Sequence, residues 1–92
     1  MKFTKKNNFA GGTSLMGYVE TNYDRLVAVF GEPTYLGRGD KVTAEWVLEF
    51  DDGTVATVYD WKEDETPMGQ YEWHIGGHRR SAVDRVQECL AA

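Results

Sequence analysis

Cysteine is almost absent from this chain: Cys89 is the single one in 92 residues. One thiol cannot close an internal disulfide and has no second thiolate with which to build a zinc site. A reducing compartment is the expected setting. Long apolar runs are missing as well. No stretch approaches the ~18 apolar residues of a membrane-spanning helix. Residues 1–6 are basic, but no apolar run follows them, which does not match a secretory leader. There is no internal repeat and no low-complexity tract. Histidine is limited to His74 and His78. They are separated by Gly76-Gly77 and do not share a helix turn, so they fall short of the three or four converging ligands that a metal needs, even with Glu72 nearby.

What the chain does contain is enough apolar and ring material for one packed core. Hydrophobic residues make up 41% and aromatic residues 13%, including three Trp, five Tyr and four Phe. That composition is too apolar for a disordered chain and fits one domain over residues 1–92. The net charge of −5 is unevenly spread. Residues 40–72 hold ten acids against two bases, a net of −8, whereas the rest holds five acids and eight bases, a net of +3. Most of the surface would therefore repel phosphates, which argues against direct nucleic-acid binding and favours a basic protein partner.

The first helix is marked by Thr21 as N-cap, with Asp24 three residues on, and by Tyr23, Leu26, Val27 and Phe30 along one apolar face. Gly31 and Pro33 end it. Residues 36–40 read as a loop. Residues 41–50 alternate, with Val42, Ala44, Trp46, Leu48 and Phe50 on one side and Thr43, Glu45, Val47 and Glu49 on the other. Asp51-Asp52-Gly53 is a hairpin turn, and residues 54–61 return antiparallel. A two-residue turn would set Trp46 opposite Tyr59 and Glu45 opposite Asp60. A three-residue turn with a glycine bulge would set Trp46 opposite Val58 and Glu45 opposite Tyr59. The second register is preferred, because it puts Ala56 and Val58 on the apolar face and avoids opposing two carboxylates. It leaves Val55, Thr57, Tyr59 and Trp61 on the other face, which then needs partial cover from another chain or from the N-terminal segment. Residues 62–69 read as a mobile loop. Residues 70–75 alternate again, Gly76-Gly77 ends that strand, and a second helix starts near Ser81 with Val83, Val86 and Leu90 as its stripe. Residues 1–5 and 15–19 are candidate short strands, and Asn7-Asn8 and Gly11-Gly12 are turn signals.

Candidate chemistry is sparse. Glu45, Asp60 and Glu72 on neighbouring strands would form a carboxylate cluster, but no nucleophile or oxyanion element accompanies them, so no enzyme is expected. Gly11-Gly12-Thr13-Ser14 has the composition of an anion-binding loop without the lysine and helix of a phosphate loop. Arg79 and Arg80 could assist it. The rings Tyr59, Trp61, Tyr71 and Trp73 are mostly core material, except for those on the second face, which suit a protein-binding anchor.

Several strings taken together resemble a group of short proteins encoded by tailed bacteriophages, over about residues 12–90. They are Gly12-Thr13-Ser14-Leu15-Met16-Gly17-Tyr18-Val19, Val29-Phe30-Gly31-Glu32-Pro33, Glu45-Trp46, the run from Phe50-Asp51-Asp52-Gly53-Thr54 to Tyr59-Asp60-Trp61, and Glu72-Trp73-His74-Ile75-Gly76-Gly77. The resemblance implies a protein made in the cytoplasm of an infected bacterium. It brings no assigned activity and therefore no site residues. Small acidic phage proteins often bind and block host machinery, defence systems included.

The expected fold is α+β, an antiparallel meander sheet of three to five strands with two helices packed on one face. The expected function is a non-enzymatic interaction protein that modulates or inhibits a bacterial host protein bearing a basic patch, such as a defence or nucleic-acid-handling factor. Glu45, Glu49, Tyr59, Asp60, Trp61, Glu72 and His74 would form its acidic, aromatic surface. No cofactor, metal or membrane is expected, and the incompletely polar second face suggests a homodimer. The alternative is a small-ligand binder that sequesters a nucleotide-like signal through Gly12, Thr13, Ser14, Arg79 and Arg80.

Overall fold

Alternation of apolar and polar residues builds the centre of the molecule. The computed structural model describes residues 3–5, 12–37 and 41–91. Its elements are β1 (Phe3–Lys5), β2 (Ser14–Thr21), α1 (Tyr23–Phe30), β3 (Tyr35–Leu36), β4 (Ala44–Phe50), β5 (Val55–Tyr59), β6 (Tyr71–Gly77) and α2 (Ser81–Ala91). The strands form one six-stranded sheet in the order β1-β4-β5-β6-β2, with β3 also paired to β4. Every pairing is antiparallel. The architecture is α+β, and β4, β5 and β6 make the meander. The sixth strand is β3, which has two residues. Its Leu36 falls at the start of the stretch expected to be loop, and two residues are too few to show a period. The expected loop positions 38–40 lie outside the described residues, as do the turn signals at Asn7, Asn8 and Gly11.

The hairpin adopts the three-residue turn. Glu45 pairs with Tyr59 and Trp46 with Val58. Phe50 N donates to Thr54 O at 2.8 Å and Gly53 N to Phe50 O at 2.9 Å, while Gly53 sits at φ +86°. That dihedral is open to glycine and strained for residues with a Cβ. Asp52 stabilises the turn by accepting from Thr54 N at 3.0 Å, and it holds Arg85 of α2 at 3.1 Å.

Both helices pack on one side of the sheet. Trp46, Leu48, Phe50, Ala56, Val58, Trp73 and Ile75 join Leu26 and Phe30 of α1 and Ala82 and Val86 of α2 in a single buried cluster. Trp46 meets Trp73 edge to face with ring centroids 5.6 Å apart, and its Nε1 donates to Gly31 O at 2.8 Å. The indole thus pins the end of α1 to the middle of the sheet. Arg25 of α1 donates to Leu90 O at 2.7 Å. It satisfies a terminal carbonyl of α2, which has no basic residue in its own last turn.

The N-cap of α1 is Asn22 rather than Thr21. Asn22 Oδ1 accepts from Arg25 N at 2.8 Å, while Thr21 completes β2 opposite Tyr71. Either residue type caps a helix, and the pairing of β2 with β6 decides which of the two remains free to do so. β2 runs for eight residues, longer than the short strand expected there, and it carries a bulge between Leu15 and Gly17. β6 continues through Gly76 and Gly77 instead of ending before them.

Close approach explains one of those glycines. A Cβ on Gly77 would lie 2.6 Å from Ala82 Cβ and 3.1 Å from Val55 O. Gly77→Ala is expected to lower stability by about 1–3 kcal/mol, the usual range for overpacking. Urea denaturation measures this, and an unchanged midpoint would contradict the packing of α2 on β6.

Hydrogen bonds at the turn also set an acid dependence. The Thr54 amide, followed by the Thr54 hydroxyl and Arg85, pushes the Asp52 carboxyl down to about 2 from 3.8. Because the folded value lies below the unfolded one, this stabilisation is complete above about pH 4 and is lost as pH falls toward 2. Asp52→Asn is therefore expected to flatten the acid limb of melting temperature against pH between those values. Identical limbs for both proteins would refute it.

Candidate functional site

The pleat that sends Trp46 and Val58 into the core sends their neighbours to the opposite face, on which neither helix packs. One row of residues crosses that face from edge to edge. Tyr35 of β3 pairs with Glu45, Glu45 with Tyr59, Tyr59 with His74, and His74 with Tyr18 of β2. Tyr18 meets the His74 ring edge to face at 4.9 Å, and Tyr59 lies against its other side at 5.4 Å. Trp61, just beyond β5, completes a four-ring cluster at 6.3 Å from Tyr59 and 6.4 Å from His74. Gly76 beside it leaves room for the Thr57 hydroxyl. A Cβ there would stand 2.5 Å from Thr57 Oγ1 and 3.5 Å from the Tyr59 ring.

Exposure is graded across the face. Val47 and Thr57, near the β4–β5 side, are buried at 0% and 3%. Toward β2 the face opens, with Leu15 at 49% and Tyr18 at 43% exposed, and Trp61, just past the end of β5, is 40% exposed. The partial cover expected for this face therefore exists within the chain on one side and is lacking on the other. β1 contributes at the sheet edge beside β4, in the plane of the sheet.

Carboxylates surround the rings. Glu45 and Glu49 lie on β4, Glu72 on β6 and Glu20 on β2, with Glu20 directly opposite Glu72. The acidity acts on the rings themselves. Burial first, and then the charge of Glu45, raises the Tyr59 hydroxyl above its ordinary value. Burial pushes the His74 imidazole below 6.5, against the opposing pull of Glu72 and Asp60. The His74 Nδ1 is buried without a hydrogen-bond partner among the described residues.

Six of the seven residues expected on the partner surface, Glu45, Glu49, Tyr59, Trp61, Glu72 and His74, belong to this face. Asp60 does not. Its side chain is fully buried. It accepts from Thr43 N at 2.8 Å, from Thr43 Oγ1 at 2.5 Å and from Ala44 N at 3.2 Å. The chosen register turns residue 60 inward, where its carboxylate satisfies backbone donors at the start of β4. Thr43 Oγ1 also bonds Thr66 Oγ1 at 2.7 Å, so the 62–69 loop, expected to be mobile, is fastened near its middle. The carboxylate cluster of Glu45, Asp60 and Glu72 is split between two faces. Tyr18 and Glu20 escaped the sequence reading. The extended 14–21 run with alternating Tyr18 and Glu20 was their signal, obscured by the bulge before Gly17.

The residues of the ligand-binding alternative come together only in part. Ser14 pairs with Gly77, and Gly12 lies beside His78, with a Cβ position 3.7 Å from its ring. Arg79 lines a cleft of about 310 Å³ with Asp52, Thr54, His78 and Ser81, but Gly12, Thr13, Ser14 and Arg80 do not line it. Asp52 puts a carboxylate where an anion would sit. Among the described residues, no group of three or more His, Cys, Asp or Glu side chains converges, and no helix is long and apolar enough to cross a membrane. Comparisons with protein-family models, with curated proteins and with solved structures find no match for this chain.

Asp60→Ala leaves buried donors unpaired and is expected to cost about 2–4 kcal/mol. Chemical denaturation checks this. A loss below about 0.5 kcal/mol, the scale of ordinary surface substitutions, would contradict the buried clamp.

Proposed function

We propose that the protein acts by binding rather than by catalysis, and that it docks the open face of its sheet onto a basic surface of a bacterial host protein. The observation that carries this reading is the exposure of Leu15, Tyr18 and Trp61 on a face ringed by Glu20, Glu45, Glu49 and Glu72. Exposed large rings beside charges are typical anchors of protein interfaces. An acidic rim steers a basic partner and speeds association at low salt. The resemblance to short phage proteins supports a host target, with inhibition or modulation of a defence or nucleic-acid-handling factor as the outcome.

Affinity capture from bacterial lysate tests the proposal. The captured protein should present a basic patch and release steeply as salt rises. A Leu15→Ala/Tyr18→Ala variant should retain it at least about tenfold more weakly, because it loses anchors of the face. Glu88→Gln, on the helix side, should leave capture unchanged. Equal capture by the wild type and the double variant would reject the face as the binding surface.

A further inference from the structure

One corner of the open face carries features that a merely acidic surface does not require. Glu20 and Glu72 are direct cross-strand partners, and both are exposed. Like charges in that position repel each other. Among the described residues, neither carboxylate has an ion-pair or hydrogen-bond partner. The next pair on the same face of these two strands is Tyr18 and His74, and Trp61 lies 6.4 Å from the His74 ring. The exposed indole already attracts a cation, since Lys41 Nζ lies 5.6 Å from its centroid.

We infer that this corner is a seat for an arginine side chain of the basic partner, with the guanidinium stacked on Trp61 and shared by the carboxylates of Glu20 and Glu72. The inference rests on the reading of the face as a docking surface. Charge complementarity selects the occupant. A cation relieves the Glu20–Glu72 repulsion, whereas the like face of a second copy would add to it. Guanidinium chemistry selects arginine over lysine. The group is planar, weakly hydrated and able to present paired N–H donors to carboxylates while it lies flat on a ring. An ammonium offers Trp61 only what Lys41 offers already. The His74 ring, packed between Tyr18 and Tyr59, forms the floor, and burial disfavours its charged form.

Trp61 makes the seat directly observable. Trp46 and Trp73 are fully buried, so of the three tryptophans only Trp61 is open to a collisional quencher. The intact protein is titrated with nona-arginine, nona-lysine and nona-citrulline peptides, and acrylamide quenching is recorded. Nona-arginine should shield Trp61 and bind about fivefold or more tightly than nona-lysine at equal ionic strength. The neutral citrulline peptide should do neither. Glu72→Gln, read by fluorescence, and Trp61→Ala, read by calorimetry, should each weaken nona-arginine about tenfold. Glu88→Gln makes the same charge change on the helix side and should have no effect.

Equal affinity for the arginine and lysine peptides, with Glu72→Gln and Glu88→Gln alike in effect, would overturn the seat and leave a general acidic surface. Failure of nona-arginine to shield Trp61 at low salt would overturn it as well. The docking reading is judged separately. Host capture that survives Trp61→Ala and Glu72→Gln but is lost with Leu15→Ala/Tyr18→Ala would keep the face and remove the arginine seat.

Discussion

Gly53 at φ +86° sets the direction of every side chain in β5, and through β5 the character of both faces of the sheet. Strand side chains alternate with a period of two, so a turn shorter by one residue would slip the register and exchange the faces. Val58 would leave the core, Tyr59 would enter it, and Glu45 would oppose Asp60. In the adopted register Val58 packs opposite Trp46, and Asp60 reaches the amides of Thr43 and Ala44. The turn is braced from outside by Asp52, which accepts from Thr54 N and holds Arg85 of α2. One short segment therefore couples the hairpin register to the docking of the last helix.

The two faces answer to different demands. On the core side, Trp46 and Trp73 fill the space beneath both helices, and glycines admit the backbone where side chains would collide. Gly17 meets Val83, and Gly77 meets Ala82. On the open side, Gly76 leaves room for the Thr57 hydroxyl, which a Cβ there would meet at 2.5 Å. The rings there contact one another closely enough to be held in place, which would lower the ordering cost of the docking proposed for that face.

Carboxylates outnumber cations on the described part of the open face, where Lys41 lies beside Trp61. Glu20, Glu45, Glu49 and Glu72 lie around four rings, and Glu20 and Glu72 are cross-strand partners, a placement in which like charges are destabilising. A fold under selection for stability alone would gain by neutralising one member of that pair. Local conflicts of this kind concentrate at functional surfaces. The fully buried Asp60 is the contrasting case, a carboxylate whose hydrogen bonds are internal and whose role is structural.

Local patterns determined much of this protein. Alternation over residues 41–50 and 70–75, the apolar spacing of Tyr23, Leu26, Val27 and Phe30, and the Asp-Asp-Gly turn were each legible, because period and turn chemistry act between near neighbours. The preference for a three-residue turn followed from its placing Ala56 and Val58 on the apolar face, while the shorter turn would also oppose two carboxylates. Other features required distant strands to meet. β3 is too short to carry a period, the Asn22 cap depends on Thr21 being taken into β2, and the inward turn of Asp60 depends on donors 16 and 17 residues away. The open face is the clearest instance. Tyr18 and Glu20 come from one end of the chain and His74 and Glu72 from the other, and only the pairing of β2 with β6 makes them neighbours. Sequence alone set which residues could face outward together. The tertiary structure decided which of them share a surface, because strand order across a sheet is settled by long-range packing and leaves no local periodicity.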